Sequence, residues 1–201
     1  MFRVRQQPEC IADREADRIA VRRHRLLRWI ALVSNLVLAA GIAGLPVYVH
    51  PQVDQLRHAD AIMILGGYKY DRYVLGFQLG SEGWAPNVVA SNPIGPDDPW
   101  LTDYCKKPNR DYKLYCIIPN PRTTAGETQA LNHLATVNHW HSIIVVTFTP
   151  QISRARFILQ QCLHAQLIMV ASGPQPSLAR WIYEYPYQTA GYVKALLDPA
   201  C

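Results

Sequence analysis

Apolar residues change their spacing along this chain. From Trp29 to Val49 they run for 21 positions without one formal charge. A helix of that length covers about 30 Å, the thickness of a bilayer's hydrocarbon core, so the run predicts a transmembrane helix. Pro46 falls near its outer end, where a break does little harm, and the run is apolar all round rather than striped like a core helix. Beyond residue 58 short apolar runs alternate with stripes of helical period. Ala61 to Leu65, ended by Gly66-Gly67, predicts a central strand with both faces covered. Tyr70 to Glu82 follows as a helix with Tyr73, Val74, Phe77 and Leu79 on one stripe, and Asn87 to Ala90 as a second strand. Pro93, Pro96, Pro99 and Pro108 punctuate a long polar connection that should be mostly irregular. Leu114 to Ile118 reads as a third strand, Thr124 to Asn138 as a helix and Ser142 to Phe148 as the strongest strand. Pro150 to Leu163 resumes helical spacing, Gln166 to Val170 makes a fifth strand, and Leu178 to Leu197 is an aromatic, amphipathic helix that Pro186 should break or kink. Such alternation predicts an α/β domain with a mainly parallel sheet of about five strands and helices on both faces.

Charge changes this picture by its placement. Residues 1–28 hold eight Arg against four acidic residues, whereas residues 50–201 hold twelve Lys and Arg against eleven Asp and Glu. The formal charge of +5 therefore belongs to a tail and argues against a nucleic-acid partner. Arg22, Arg23, Arg25 and Arg28, just before the apolar run, predict a cytoplasmic N-terminus. The expected organisation is a basic cytoplasmic tail (1–28), a transmembrane helix (29–49) and an extracytoplasmic domain (50–201) in a single-pass protein of the cell membrane. A cleaved signal peptide, with small residues over 39–44, is the rival, although the charged stretch before it is long for one. Cys10 lies in the tail; Cys105, Cys116, Cys162 and Cys201 lie in the body and permit three pairings. Cys105 with Cys116 closes the shortest loop and is the first expectation, Cys162 with Cys201 the second, and four free thiols the alternative.

In a parallel sheet, ligands bind at the carboxyl ends of strands near helix N-termini. This selects four loops: Gly66 to Arg72, Ser91 to Pro96, Pro119 to Glu127 and Thr147 to Arg154. No GxGxxG, Walker A, GxSxG or HExxH sequence occurs, so common nucleotide-binding, serine-hydrolase and zincin readings lack their motifs, and no cofactor is indicated. Gly66 and Gly67 allow close backbone approach or simply a tight turn. Arg72 reaches the cleft or forms a solvated pair. Thr124-Ala-Gly-Glu127 has capping-box spacing, which by itself suffices to explain both residues. Arg122, just upstream, suits an anion at the same helix start or an exposed position. In the last loop Thr149 is a candidate N-cap, Pro150 fits the first helical position, and Gln151 and Arg154 share a face. A guanidinium there suits a phosphate or carboxylate, while Arg156 should point to solvent. His133, His139 and His141 have poor spacing for a metal and read as surface residues.

Together these residues resemble the YdcF, SanA and ElyC group of bacterial proteins. The resemblance rests on Asp60 to Gly67, Gly83-Trp-Ala-Pro86, Thr123-Thr-Ala-Gly-Glu127, and Val146-Thr147 through Arg154-Ala155, in order over about residues 58–173. It implies a Rossmann-like fold, a role of anchored members in cell-envelope biogenesis or barrier function, and a polar, phosphate-containing ligand. It further implies one site formed by Gly66, Gly67, Thr124, Glu127, Thr147 and Arg154. Two departures stand out. Gln151 occupies the place of the family's His and cannot exchange a proton near neutrality, and the second strand ends Ala90-Ser91-Asn92-Pro93 instead of in a glycine turn.

The leading expectation is an anchored envelope protein that binds an anionic metabolite, such as a lipid-linked precursor. Ligand contacts would come from Gly66, Gly67, Arg72, Ser91, Thr124, Thr147 and Arg154; if there is turnover, Glu127 is the acid or base and Gln151 orients water or substrate. The alternative is a non-catalytic scaffold whose partner docks on the Pro93 to Pro108 stretch or on Trp181, Tyr183, Tyr185 and Tyr187. Packing against the sheet or the membrane interface is the plainer account of those aromatics.

Overall fold

In the computed structural model, residues 9–67, 70–107 and 111–201 are described. The first eight residues of the basic tail, Tyr68 and Lys69 of the first strand-end loop, and Pro108 lie outside them. The chain forms two compact units that meet between Gly44 and Leu45. The first contains helix α1 (Glu9–Gly44), and the stretch Ala20–Val49 is long and apolar enough to cross a membrane. The second unit begins with a π-helical turn, Leu45–Val49, so the last five residues of the apolar run fold with the body.

The body is built on a five-stranded, all-parallel sheet: β1 (Ala61–Ile64), β2 (Asn87–Ser91), β3 (Lys113–Ile117), β4 (Ser142–Phe148) and β5 (Gln166–Ser172), in the order β3-β2-β1-β4-β5. Helices α2 (Asp71–Ser81), α3 (Pro99–Lys106), α4 (Thr124–Asn138), α5 (Ile152–Gln160) and α6 (Leu178–Leu197) complete it. This is the expected Rossmann-like α/β architecture. Alternate residues of the central strands feed two cores. Met63, Val145 and Met169 meet Leu131, Ile152 and Leu159 on the α4/α5 face, while Ile62, Ile64, Ile144 and Val146 meet Tyr73, Phe77 and Leu101 on the α2/α3 face. β1 pairs with β4 through Ile62 opposite Ile144 and with β2 through Ile62 opposite Val88. This register aligns the carboxyl ends of β1, β2 and β4 along one rim.

Asp60 fixes the opposite rim. Its Oδ2 accepts from His141 N (2.7 Å), Ser142 N (2.8 Å) and Ser142 Oγ (3.0 Å). Burial pushes its pKa up, but these donors outweigh burial and leave it lowered. Although Asp60 belongs to the resembling motif, it lies at the wrong end of the strand to touch a strand-end ligand.

Several expectations are corrected here. The connection after β2 is not mostly irregular: it carries a short 3-10 turn and α3, capped by Asp98, whose Oδ1 accepts from Leu101 N, with Pro99 in the first turn where a missing N–H costs nothing. Tyr104 of α3 stacks on Phe77 at 3.9 Å, which gives α3 its seat. Val74, placed on the stripe of α2, is exposed rather than buried. Pro150 opens a 3-10 turn (Thr149–Gln151) in which Thr149 makes no side-chain cap, and α5 starts only at Ile152. Arg156 does not point to solvent: it bonds Asp54 Oδ2 at 2.7 Å, and that carboxylate also accepts from Met169 N. Helix α6 runs through Pro186 without a break in its assignment.

Cys105 pairs with Cys116, and Cys162 with Cys201, as the loop lengths suggested. The second bond ties the end of α5 to the residues after α6 across 39 positions. A loop of that size confers about 4 kcal/mol by restricting the unfolded chain. Denaturant unfolding of the double variant Cys162→Ser/Cys201→Ser should show a loss of that order; an unchanged midpoint would show that the bond constrains nothing.

Candidate functional site

The rim at the carboxyl ends of β1, β4 and β5 opens into a cavity of about 1100 Å³, walled on its far side by α6. Gly66, Gly67, Arg72, Thr124, Glu127, Gln151 and Arg154 all line it. Ser91 and Thr147 do not; both are fully buried behind that wall. Thr147 supports the site by donating from Oγ1 to Gln151 Oε1 at 3.0 Å.

The capping-box expectation fails in a way that forms the site. Thr123, not Thr124, is the N-cap of α4, accepting from Gly126 N. Thr124 thus enters the first helical turn, and its hydroxyl receives Gln151 Nε2 at 3.4 Å and Arg154 Nη1 at 3.5 Å. Glu127 does not reach back to a cap; its Oε1 crosses to the β1 end and accepts from Gly66 N at 2.6 Å. The Gly66 amide is consequently occupied and cannot serve as the anion donor expected of it. Side chains close over both glycines: a Cβ on Gly66 would lie 2.6 Å from the Pro93 ring, and one on Gly67 would lie 2.7 Å from Arg72 Nη1. Their smallness admits the Pro93 and Arg72 side chains.

Arg72 is 3% exposed, and its solvated-pair alternative is excluded. Nη1 donates to Gly66 O (2.9 Å), Leu65 O (3.3 Å) and Gln151 Oε1 (3.4 Å), and the guanidinium lies 5.1 Å from the Phe148 ring centre. Arg154, 9% exposed, is held by one short bond from Nε to Gln188 Oε1 at 2.7 Å. Gly191 makes room for it, since a Cβ there would meet Arg154 Cδ at 2.7 Å. Among the described residues neither arginine belongs to an ion pair. Burial pushes both guanidinium pKa values down, a direction that leaves arginine cationic at any ordinary pH. Arg122 is exposed at the cavity wall.

Glu127 is their electrostatic counterweight. Its burial raises the carboxyl pKa above the ordinary 4.5; Ser91, the Gly66 N–H, Arg72 and Arg154 act in the opposite sense without overcoming it. Ser91 Oγ lies near this carboxyl but completes no hydrogen bond among the described residues. Two guanidiniums thus face the cavity beside the positive N-terminal end of α4, and burial opposes the charged form of the carboxyl that faces them.

The sequence reading missed the α6 wall. Gln188 Nε2 donates to Glu184 Oε2 (2.8 Å), and Glu184 Oε1 pairs with Arg180 (2.7 Å), which extends the Arg154 network along the helix. Glu184 and Gln188 are completely buried. Their signal was a polar stripe at four-residue spacing, Arg180, Glu184 and Gln188, inside an otherwise aromatic helix. Among the described residues no group of three or more His, Cys, Asp or Glu could hold a metal ion. Comparison with protein-family models, curated proteins and solved structures finds no match for this chain.

A carboxyl with a raised native pKa makes the folded state bind more protons than the unfolded one, so stability falls as pH rises above the ordinary 4.5 toward the native value. Glu127→Gln keeps an acceptor for Gly66 N–H and removes the titration. Urea unfolding across pH 4.5–8 should show that decline flattened in the variant; matching pH profiles would mean that Glu127 titrates like an exposed carboxylate.

Proposed function

We propose that this protein is a single-pass, membrane-anchored envelope protein whose body binds an anionic, phosphate-bearing ligand at the strand ends. One observation carries the reading: Arg72 and Arg154, both buried and outside any ion pair among the described residues, face one cavity of about 1100 Å³. Their bonds toward the centre of the site are long, 3.3 to 3.5 Å, whereas each is anchored by a single shorter one at 2.9 or 2.7 Å. Loosely engaged donors on fixed guanidiniums are free to turn to a ligand's oxygens, and a planar guanidinium matches phosphate in a bidentate manner.

The anchored, extracytoplasmic placement is supported by the stretch Ala20–Val49, by Arg22, Arg23, Arg25 and Arg28 clustered at its start and by two disulfides in the body, which suit an oxidising compartment. Membership of the YdcF, SanA and ElyC group, with a role in envelope biogenesis or barrier function, is part of the same proposal. Its support is that Gly66, Gly67, Thr124, Glu127, Gln151 and Arg154, drawn from three of the four motifs, line one cavity, whereas Asp60 and Gly83 to Pro86 lie toward the opposite rim. A lipid-linked precursor is the ligand class that combines the charge with the location.

Binding is the activity; turnover is not required. Gln151 has no proton that titrates near neutrality, and Glu127, the acid-base candidate, is 3% exposed with one oxygen committed to Gly66. If Gln151 marks a binding site rather than a decayed catalytic one, Gln151→His gains no hydrolysis of phosphate esters; appearance of turnover would identify a lost general base.

Equilibrium binding of inorganic pyrophosphate and of a polyprenyl phosphate to the full chain in lipid nanodiscs tests the site directly. A hydrogen bond to a charged group contributes about 1.5–3 kcal/mol, so Arg154→Met should weaken binding by at least about tenfold while thermal unfolding remains cooperative. Equal affinities in native and variant protein would remove the anion site.

A further inference from the structure

Helix α6 is built inside out. Its inward face carries Glu184 and Gln188, both 0% exposed, whereas Leu178 and Leu197 are 82% and Ile182 is 75% exposed. Leu178 and Ile182 near the start of the helix and Val193 and Leu196 near its end share one outward side at helical spacing, with Tyr185 and Thr189, which Tyr48 meets, between them. Elsewhere in the body the exposed large apolar residues include Val53, Ile94 and Val137 and the touching pair Tyr70 and Trp100. A stripe of this kind requires a cover.

The chain's own connectivity indicates which cover. The apolar run ends at Val49, and Tyr48, one residue earlier, is pinned to the middle of α6: its hydroxyl lies 2.9 Å from Thr189 Oγ1 and its ring 5.2 Å from that of Tyr185. Helix α6 therefore crosses the point at which the chain leaves the hydrocarbon. Half the length of a 20-residue helix is about 15 Å, so both ends lie close to that level if the helix is parallel to the membrane. One border of the stripe carries the stacked pair Tyr183 and Tyr187, ring centres 5.3 Å apart, together with exposed Lys194. Apolar residues bordered by tyrosine and cationic side chains are the composition of a helix lying in a bilayer interface.

We propose that α6 is an interfacial helix that lies on the bilayer spanned by the N-terminal helix, with Leu178, Ile182, Val193 and Leu196 in the lipid. This rests on the anchor in the reading above, not on its ligand. Because Tyr183, Tyr187 and Lys194 also line the cavity, the docked helix places the cavity mouth at headgroup level.

The test uses the full chain with Cys10→Ser, its disulfides intact, in phosphatidylcholine nanodiscs. Nitroxide labels are attached in turn to Ile182→Cys, Leu196→Cys and, as a reference, Val137→Cys on exposed α4. The ratio of collision rates with oxygen to those with a nickel chelate should be several-fold higher at 182 and 196 than at 137. A ratio equal to that at 137 overturns the proposal. So do labels shielded from both reagents and broadened by a neighbouring label, which would show a second copy on this face. Full chain that fails to float with phosphatidylcholine vesicles overturns the anchor as well; flotation with water-exposed labels overturns α6 docking alone.

Discussion

Two guanidinium groups held out of water, with no ion pair to a carboxylate among the described residues, are the constraint around which the body is organised. An unpaired buried charge costs several kcal/mol, far more than the ~0.3–1 kcal/mol that a favourable helix end returns, and here the N-terminal end of α4 adds positive potential. What offsets the charges is a set of neutral acceptors: the carbonyls of Leu65 and Gly66 for Arg72, and the Gln188 amide for Arg154. Two buried carboxyls have fields that reach both guanidiniums, Glu127 and Glu184, and Glu184 is itself paired with Arg180. Burial opposes the charged form of Glu127, so the neutral acceptors carry much of the task of holding the two guanidiniums.

The same network explains why glycines stand where they do. Gly66, Gly67 and Gly191 come from a strand end, the turn after it and the middle of a helix, yet each gives way to a side chain of this cluster or its cover: Pro93, Arg72 and Arg154. Packing space connects these positions with the site, and Gly67 also holds a φ of +154° that favours glycine.

The sheet was legible because a strand covered on both faces must read as a continuous apolar run, and Ala61 to Leu65 and Ser142 to Phe148 do so. Helix α3 was not, because the prolines around it carry the same punctuation as a loop; only the pair Asp98-Pro99, cap and first turn, distinguishes a helix start there. Thr124 to Glu127 misled for a different reason. The local spacing fits a capping box, but Thr123 is an equally good cap one residue earlier, and the bond that settles the register joins Glu127 to Gly66 across 61 positions. A tertiary bond leaves no trace in local spacing. Arg156 was likewise assigned to solvent because its partner, Asp54, precedes it by 102 positions.

Gln151 shows how such a site works without a titrating group at its centre. Arg72 can only donate, and Thr147 also donates here, so the amide oxygen must face both, which turns Nε2 toward Thr124 and, through that hydroxyl, toward Arg154. The amide is thereby locked as a neutral coupler between two cations. A histidine at this place would have to accept from Arg72 while remaining unprotonated, and the two guanidiniums would hold it so. Glutamine provides the same connection at every pH, so the link between the two guanidiniums does not depend on a titrating group.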